Sequence, residues 1–355
     1  MNLFDYANYY GSYTFDEREF NEIDNAIFSM LAYINFEEII VKNKTSIEEV
    51  SKLFFKKYSK EQIKNDTLTV REGSELLEAI SKTKRFKDVK ISNYIYESDS
   101  ESQFSAVTFH IYKNTYYVAF EGTDDLISGW KEDCEMAYNF PVQAHSLAKK
   151  YLDKYFTFKR CKLIVGGHSK GGNLALVSSM YANYFVKRKI IKIYSNDGQG
   201  LRLSQINSKY YEKIKDRFVH LIPNYSIVGL LLRHKDDYIV VKSTKKGIMA
   251  HDAFSWSVSY DHFEKGKLSR FSKVFDRGIS SWLDKYDDEK RRLFVENIFK
   301  IMEDNNIKSL KEFKLKKEFI ENIVKSSKEI NPMVKDMTLD LLKVINKTNL
   351  EYPIF

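Results

Sequence analysis

Ser169 stands in Gly166-Gly167-His168-Ser169-Lys170-Gly171-Gly172, the strongest chemical signal in the chain. The apolar run 161–165 leads into it, and 173–180, with helical character, leads out. Strand, glycine-rich turn and helix, with Gly-x-Ser-x-Gly at the bend, is the context of a nucleophile elbow. A serine on so sharp a bend takes a sparsely allowed backbone conformation, and the residues two before and two after it crowd each other. Gly167 and Gly171 fill those positions. The chain has only 14 glycines in 355 residues, yet four flank this one serine, which favours chemistry over a phosphate-binding or purely structural turn.

A serine hydroxyl is a poor nucleophile until a base takes its proton, and the base needs an acid to fix its tautomer. On this scaffold the chain order is Ser, acid, His. Of seven histidines, His110 and His145 precede the serine, and alternation at the elbow turns the His168 side chain away from it. His220 lies within a strand and His234 among charges. His251 follows the last predicted strand and is the expected base, with His262 in reserve. Asp197, in Asn196-Asp197-Gly198, is the preferred acid over Asp236 and Asp237. An acyl-transfer site also needs two main-chain donors for an oxyanion. They are expected from Thr123, in the loop after strand 116–120 and with its hydroxyl as a further donor, and from Lys170, next to the nucleophile. This chemistry requires no cofactor and no metal. Cys134 and Cys161 lack metal-ligand spacing and are expected as reduced core or near-core thiols.

Residues 1–90 read as mainly helical. A helix over 14–33 is expected with Asp16 as N-cap, one over 46–58 with a Ser46/Glu49 capping box, and one over 75–81, all core and without chemistry. From residue 86 the period changes to two, giving a strand over 89–96 and a hairpin of 106–112 with 116–120. The segment 126–140, holding Trp130, is either a lid or a helix packed on the sheet. A helix over 142–156 precedes the nucleophile strand, and strands follow over 190–194, 217–222 and 238–241. Strands spaced by helical segments predict an α/β fold, a largely parallel sheet with helices on both faces and reactive groups at the carboxyl ends. From residue 268 the chain is helical again, with Ser309/Glu312 and Asn331-Pro332 as helix starts. The expected organisation is a catalytic domain over 1–265 and a C-terminal helical extension over 266–355 packed on it.

The chain carries 57 Lys and Arg against 49 Asp and Glu, a net +8, but the two signs alternate along most of its length. No nucleic-acid partner is expected; a basic adaptor acting through the lysine-rich tail is the competing reading. No apolar stretch is long enough to span a bilayer, and the opening residues lack a charged, apolar leader. A cytoplasmic protein is expected, with peripheral membrane contact left open.

Phe120-Glu121-Gly122-Thr123, the 130–133 segment and Gly167-His168-Ser169-Lys170-Gly171-Gly172 resemble the fungal-type (class 3) lipase branch of α/β-hydrolases. With Asn196-Asp197-Gly198, Ser226-Ile227-Val228-Gly229 and His251-Asp252, the chain is more closely similar to an uncharacterised bacterial family of lipase-like hydrolases. The resemblance implies an α/β-hydrolase fold, an esterase- or lipase-type triad and an oxyanion donor at Thr123 with a lid after it. Two positions depart from the lipase pattern. Ser226 stands where class 3 lipases carry their acid, which moves that role to Asp197. Lys170 replaces an apolar residue, so its cation either favours an anionic substrate group or points to solvent. The expected function is a serine hydrolase cleaving a carboxylic ester of a small molecule or lipid through an acyl-enzyme. The alternative is a hydrolase-fold binding or regulatory protein.

Overall fold

The computed structural model describes residues 1–40, 44–99, 102–123, 127–235, 238–304 and 332–351. Eight strands form one sheet in chain order: β1 Thr45–Ser46, β2 Lys90–Ser98, β3 Gln103–Tyr112, β4 Thr115–Phe120, β5 Lys162–His168, β6 Ile190–Asn196, β7 Phe218–Pro223 and β8 Tyr238–Val241. β1 to β4 pair antiparallel, and β4 to β8 pair parallel. β4 and β5 are buried almost end to end, as strands covered on both faces must be.

Alternation along these strands feeds two cores. Tyr117 and Ala119 of β4 and Ile164 of β5 pack with helices α1 Leu3–Tyr10, α2 Glu22–Leu31, α3 Ile47–Lys57 and α5 Leu68–Ser81, which follows the short α4 Lys60–Asn65. Val118, Phe120, Leu163 and Val165 point the other way, onto α7 Gln143–Phe156 and α8 Lys170–Tyr181. The fold is α/β, a mostly parallel eight-stranded sheet flanked by helices, with helical N- and C-terminal parts.

The lead-in differs from its periodicity reading at the start of α2. The helix begins at Glu22, not near residue 14, and its N-cap is Asn21, in a reciprocal capping box with Asp24, rather than Asp16. The apolar spacing before residue 21 serves turns whose side chains still reach the core, as Phe15 does. The third helix starts at Leu68, seven residues before the expected start, capped by Thr67. Asp24 and Arg85, both fully buried, join in a two-pronged ion pair of 2.8 and 2.5 Å that locks α2 to the chain entering β2.

After β4, helix α6 Ile127–Glu135 carries Trp130 and Glu132. Trp130 and Tyr138 pack against Val295, Phe299 and Met302 of the Asp288–Asp304 helix. That helix and Arg270–Lys285 both contact Pro332–Glu351, whose Met337 is buried with Trp282, Leu283 and Tyr286. The expected helix start at Ser309 lies outside the described residues. Cys161 is a near-core thiol, half-buried against the core under α7 and α8, whereas Cys134 is exposed on α6. Among the described residues no helix is long and apolar enough to cross a membrane.

Candidate active site

β5 ends at His168, Ser169 makes the bend, and α8 starts at Lys170. Ser169 has φ 57° and ψ −133°, outside the regions an L-residue prefers. The bend is tight enough that a Cβ on Gly167 would lie 2.3 Å from the Gly171 carbonyl carbon, and one on Gly171 2.1 Å from the Phe120 oxygen. Any side chain at either position would force β4, β5 and α8 apart. The strained serine is held by its neighbours: its N–H donates to Asn196 O at 3.0 Å, and Gly172 N–H donates to its carbonyl at 2.9 Å.

Asp197 follows β6 with φ 50°, its own N–H donating to Leu221 O at 2.7 Å. The carboxylate is fully buried and its two oxygens are used differently. Oδ1 accepts from Ser226 Oγ at 2.6 Å and from Gly229 N–H at 3.1 Å. Oδ2 lies 2.7 Å from His251 Nδ1. A carboxylate oxygen only accepts, so Nδ1 carries the proton and Nε2 is left as the basic nitrogen. Gly229 is dictated by this contact, because a Cβ there would sit 2.4 Å from Asp197 Oδ1. His251 closes the turn Gly247–His251 beyond β8, and Ser169 and His251 open into one cleft of about 550 Å³.

Thr123 also lines that cleft, and its hydroxyl donates to Asp133 Oδ2 at 2.6 Å. Its main-chain N–H, rather than its hydroxyl, is therefore the group of this residue with an uncommitted role. Lys170, as the first residue of α8, has an N–H of the kind a helix leaves without an intrahelical acceptor. Its side chain contradicts both expectations made for it. It faces neither substrate nor solvent: the residue is 1% exposed, and Nζ pairs with Glu132 and donates to Gln103 O at 3.0 Å. Glu132 in turn accepts from Ala144 N–H at 2.8 Å and Ser102 Oγ at 2.9 Å. Helix α6 is thus tied down at Glu132 and at Trp130.

Burial pushes the Asp133 carboxyl up from 3.8 to about 6, against the opposing pull of Lys170. The folded state therefore holds this proton more tightly than the unfolded chain. Its contribution to stability is complete below about pH 4 and is lost as pH rises through about 6. Asp133→Asn keeps an acceptor for Thr123, so the melting temperature of the variant should gain on wild type between pH 4 and 8. The gain corresponds to roughly 1–3 kcal/mol. Thermal melts that run parallel across this range would dismiss the effect.

The expectation that alternation turns the His168 side chain away is not met: the ring lines the cleft with Ser169 and His251. Its Nε2 lies 2.8 Å from His251 O and its Nδ1 2.8 Å from Tyr33 OH. Burial, and then the neighbouring His251, hold its pKa well below the usual imidazole value. His262 is exposed on a hairpin beside Asp261, 3.0 Å away, and does not line the cleft. Asp236 and Asp237 lie outside the described residues.

The lead-in is not mere core. Tyr33, Asn35, and residues 66–70 at the start of α5 form cleft wall, together with Tyr94 and Tyr96 of β2. Beneath the elbow, Asn25 Nδ2 donates to Asn196 Oδ1 at 2.8 Å, and Asn196 Nδ2 donates to Ser29 Oγ at 2.9 Å and to Gly167 O at 3.1 Å. Nothing in the local spacing of these residues marks them, since helix or strand periodicity accounts for each. Among the described residues no cluster of His, Cys, Asp and Glu is arranged to hold a metal.

The model of the Mbeg1-like family matches residues 80–300 of the chain. Among solved structures, M37 lipase aligns over 58% of this chain and 68% of its own, at 15% identity and a TM-score of 0.34. No curated protein matches the chain.

Proposed function

The chain belongs to the Mbeg1-like family, a lipase-like family, and from that premise we propose that it is a serine hydrolase of carboxylic esters. In this reading Ser169 attacks the ester carbonyl while His251 Nε2 takes the hydroxyl proton. Asp197 holds the imidazole in the Nδ1–H tautomer and stabilises the imidazolium. Main-chain N–H groups of Thr123 and Lys170 receive the oxyanion. His251 then protonates the leaving alcohol, and water resolves the acyl-enzyme by the same route in reverse. The reading takes residues 1–265 as the catalytic unit, with the C-terminal helices as an extension packed against α6.

One observation carries this reading: a buried carboxylate 2.7 Å from the imidazole of a cleft that also contains a serine at positive φ on a glycine-flanked bend. The two departures from the lipase pattern have local accounts and do not favour a non-catalytic protein. Ser226 is a partner of the acid rather than a missing acid, and the Lys170 cation is internal. A fluorophosphonate probe should label the chain covalently, and Ser169→Ala should abolish the label. Undiminished labelling of that variant would remove Ser169 from the mechanism.

A further inference from the structure

His168 and Tyr33 have no part in the chemistry just described, yet both touch its components. A carbonyl oxygen can only accept a hydrogen bond, so the 2.8 Å contact of His168 Nε2 with His251 O puts the His168 proton on Nε2. Nδ1 is then the acceptor, and Tyr33 O–H donates to it across 2.8 Å. Two ends of one ring are thereby fixed, one to the main chain of the base and the other to the end of the α2 segment. The imidazoles of His168 and His251 are in tilted contact, 4.4 Å between centroids and 35° between planes.

Tyr33 reaches a second component as well. A Cβ on Gly122, in the loop leading to Thr123, would lie 2.0 Å from the Tyr33 hydroxyl, 2.8 Å from His168 O and 3.0 Å from Ser169 Cβ. The tyrosine oxygen is therefore packed against the oxyanion loop while it bonds the histidine before the nucleophile. Asp197 fixes how the His251 ring turns; nothing in that contact fixes where the His251 backbone stands.

We infer that Tyr33 and His168 are positioning residues that set the height of the His251 base over Ser169, by clamping the His251 carbonyl from below. The inference rests on the serine-hydrolase reading and adds a role for the helical lead-in, which supplies Tyr33. Two imidazoles this close cannot both be charged without repulsion. A neutral His168, locked by a donor at one nitrogen and an acceptor at the other, leaves the reaction proton to His251 alone.

The test separates the two ends of the His168 ring. Glutamine can place an N–H near the position of imidazole Nε2, whereas asparagine reaches only the Nδ1 side. His168→Gln should retain kcat on a p-nitrophenyl ester within about tenfold of wild type, and His168→Asn should lose about a hundredfold, both with KM within twofold. Tyr33→Phe should lower kcat about tenfold with KM and melting temperature little changed. Equal losses in the Gln and Asn variants, a loss confined to KM, or an unaffected Tyr33→Phe would overturn the inference. Wild type that neither turns over esters nor takes the fluorophosphonate would instead defeat the hydrolase reading. The clamp is then still decided by NMR: the His251 Nδ1–H resonance should be protected from water exchange in wild type and exchange-broadened in His168→Asn, and equal protection would reject it.

Discussion

Asp197→Asn is expected to lower kcat/KM on a simple ester by about 10⁴, with the folded state intact. The size of the effect follows from the two donors on Oδ1. Ser226 Oγ at 2.6 Å and Gly229 N–H at 3.1 Å both require an acceptor there, so an asparagine would seat its carbonyl oxygen at that end. Its amide nitrogen would then occupy the Oδ2 position, 2.7 Å from His251 Nδ1 in the native site. Two N–H groups cannot face each other, and the imidazole would shift its proton to Nε2. A base protonated on the nitrogen that faces the serine cannot accept the hydroxyl proton. The measurement is steady-state kinetics beside a thermal melt. Activity within tenfold of wild type, in a variant with an unchanged melt, would mean that Asp197 is not the acid. The same argument predicts that Ser226 acts only through Asp197.

Glu132→Ala should destabilise the fold by about 3–5 kcal/mol, the cost of leaving one member of a buried ion pair without its partner. Lys170 and Glu132 are each 1% exposed, so neither charge can recover its hydration by a small movement. The alanine would also leave Ala144 N–H and Ser102 Oγ without the acceptor that Glu132 Oε1 supplies. A double variant, Lys170→Met with Glu132→Gln, removes both charges, fills the lysine stem with a thioether and keeps an acceptor for those two donors. It should recover more than half of the loss, because replacing a buried ion pair by neutral groups of similar shape is close to neutral. Urea denaturation of the three proteins checks this. A single variant that loses less than about 1 kcal/mol would show that the pair is solvated and that α6 is not held by it.

These two experiments address sites that differ in how far the chain reveals them. The elbow was legible because its geometry is local: five consecutive positions must satisfy one steric condition, and only glycine meets it at 167 and 171. The candidate base and acid, His251 and Asp197, are legible through order along the chain and position at strand ends, which a parallel sheet converts into neighbours. Periodicity misplaces the start of α2 because apolar spacing marks what is buried, not what is helical. Phe15 is 4% exposed without being in a helix. The setting of the Lys170 side chain is not legible locally, because its partner, Glu132, lies 38 residues earlier on a helix whose placement no local pattern specifies.

The amino-acid order alone is enough to read the glycine-flanked serine turn, the alternation that divides side chains between two cores, and the residue types able to act as base and acid. These depend on sterics and periodicity within a few residues. Folding in three dimensions is what brings Ser226 and Gly229 onto Asp197, cancels the Lys170 charge inside the protein, and seats Tyr33, in the turn after α2 and 135 residues earlier, against His168. The physical reason is that each of these is a contact between buried polar groups. Such groups take whichever partner the packed sheet brings within about 3 Å, and separation along the chain does not set that distance.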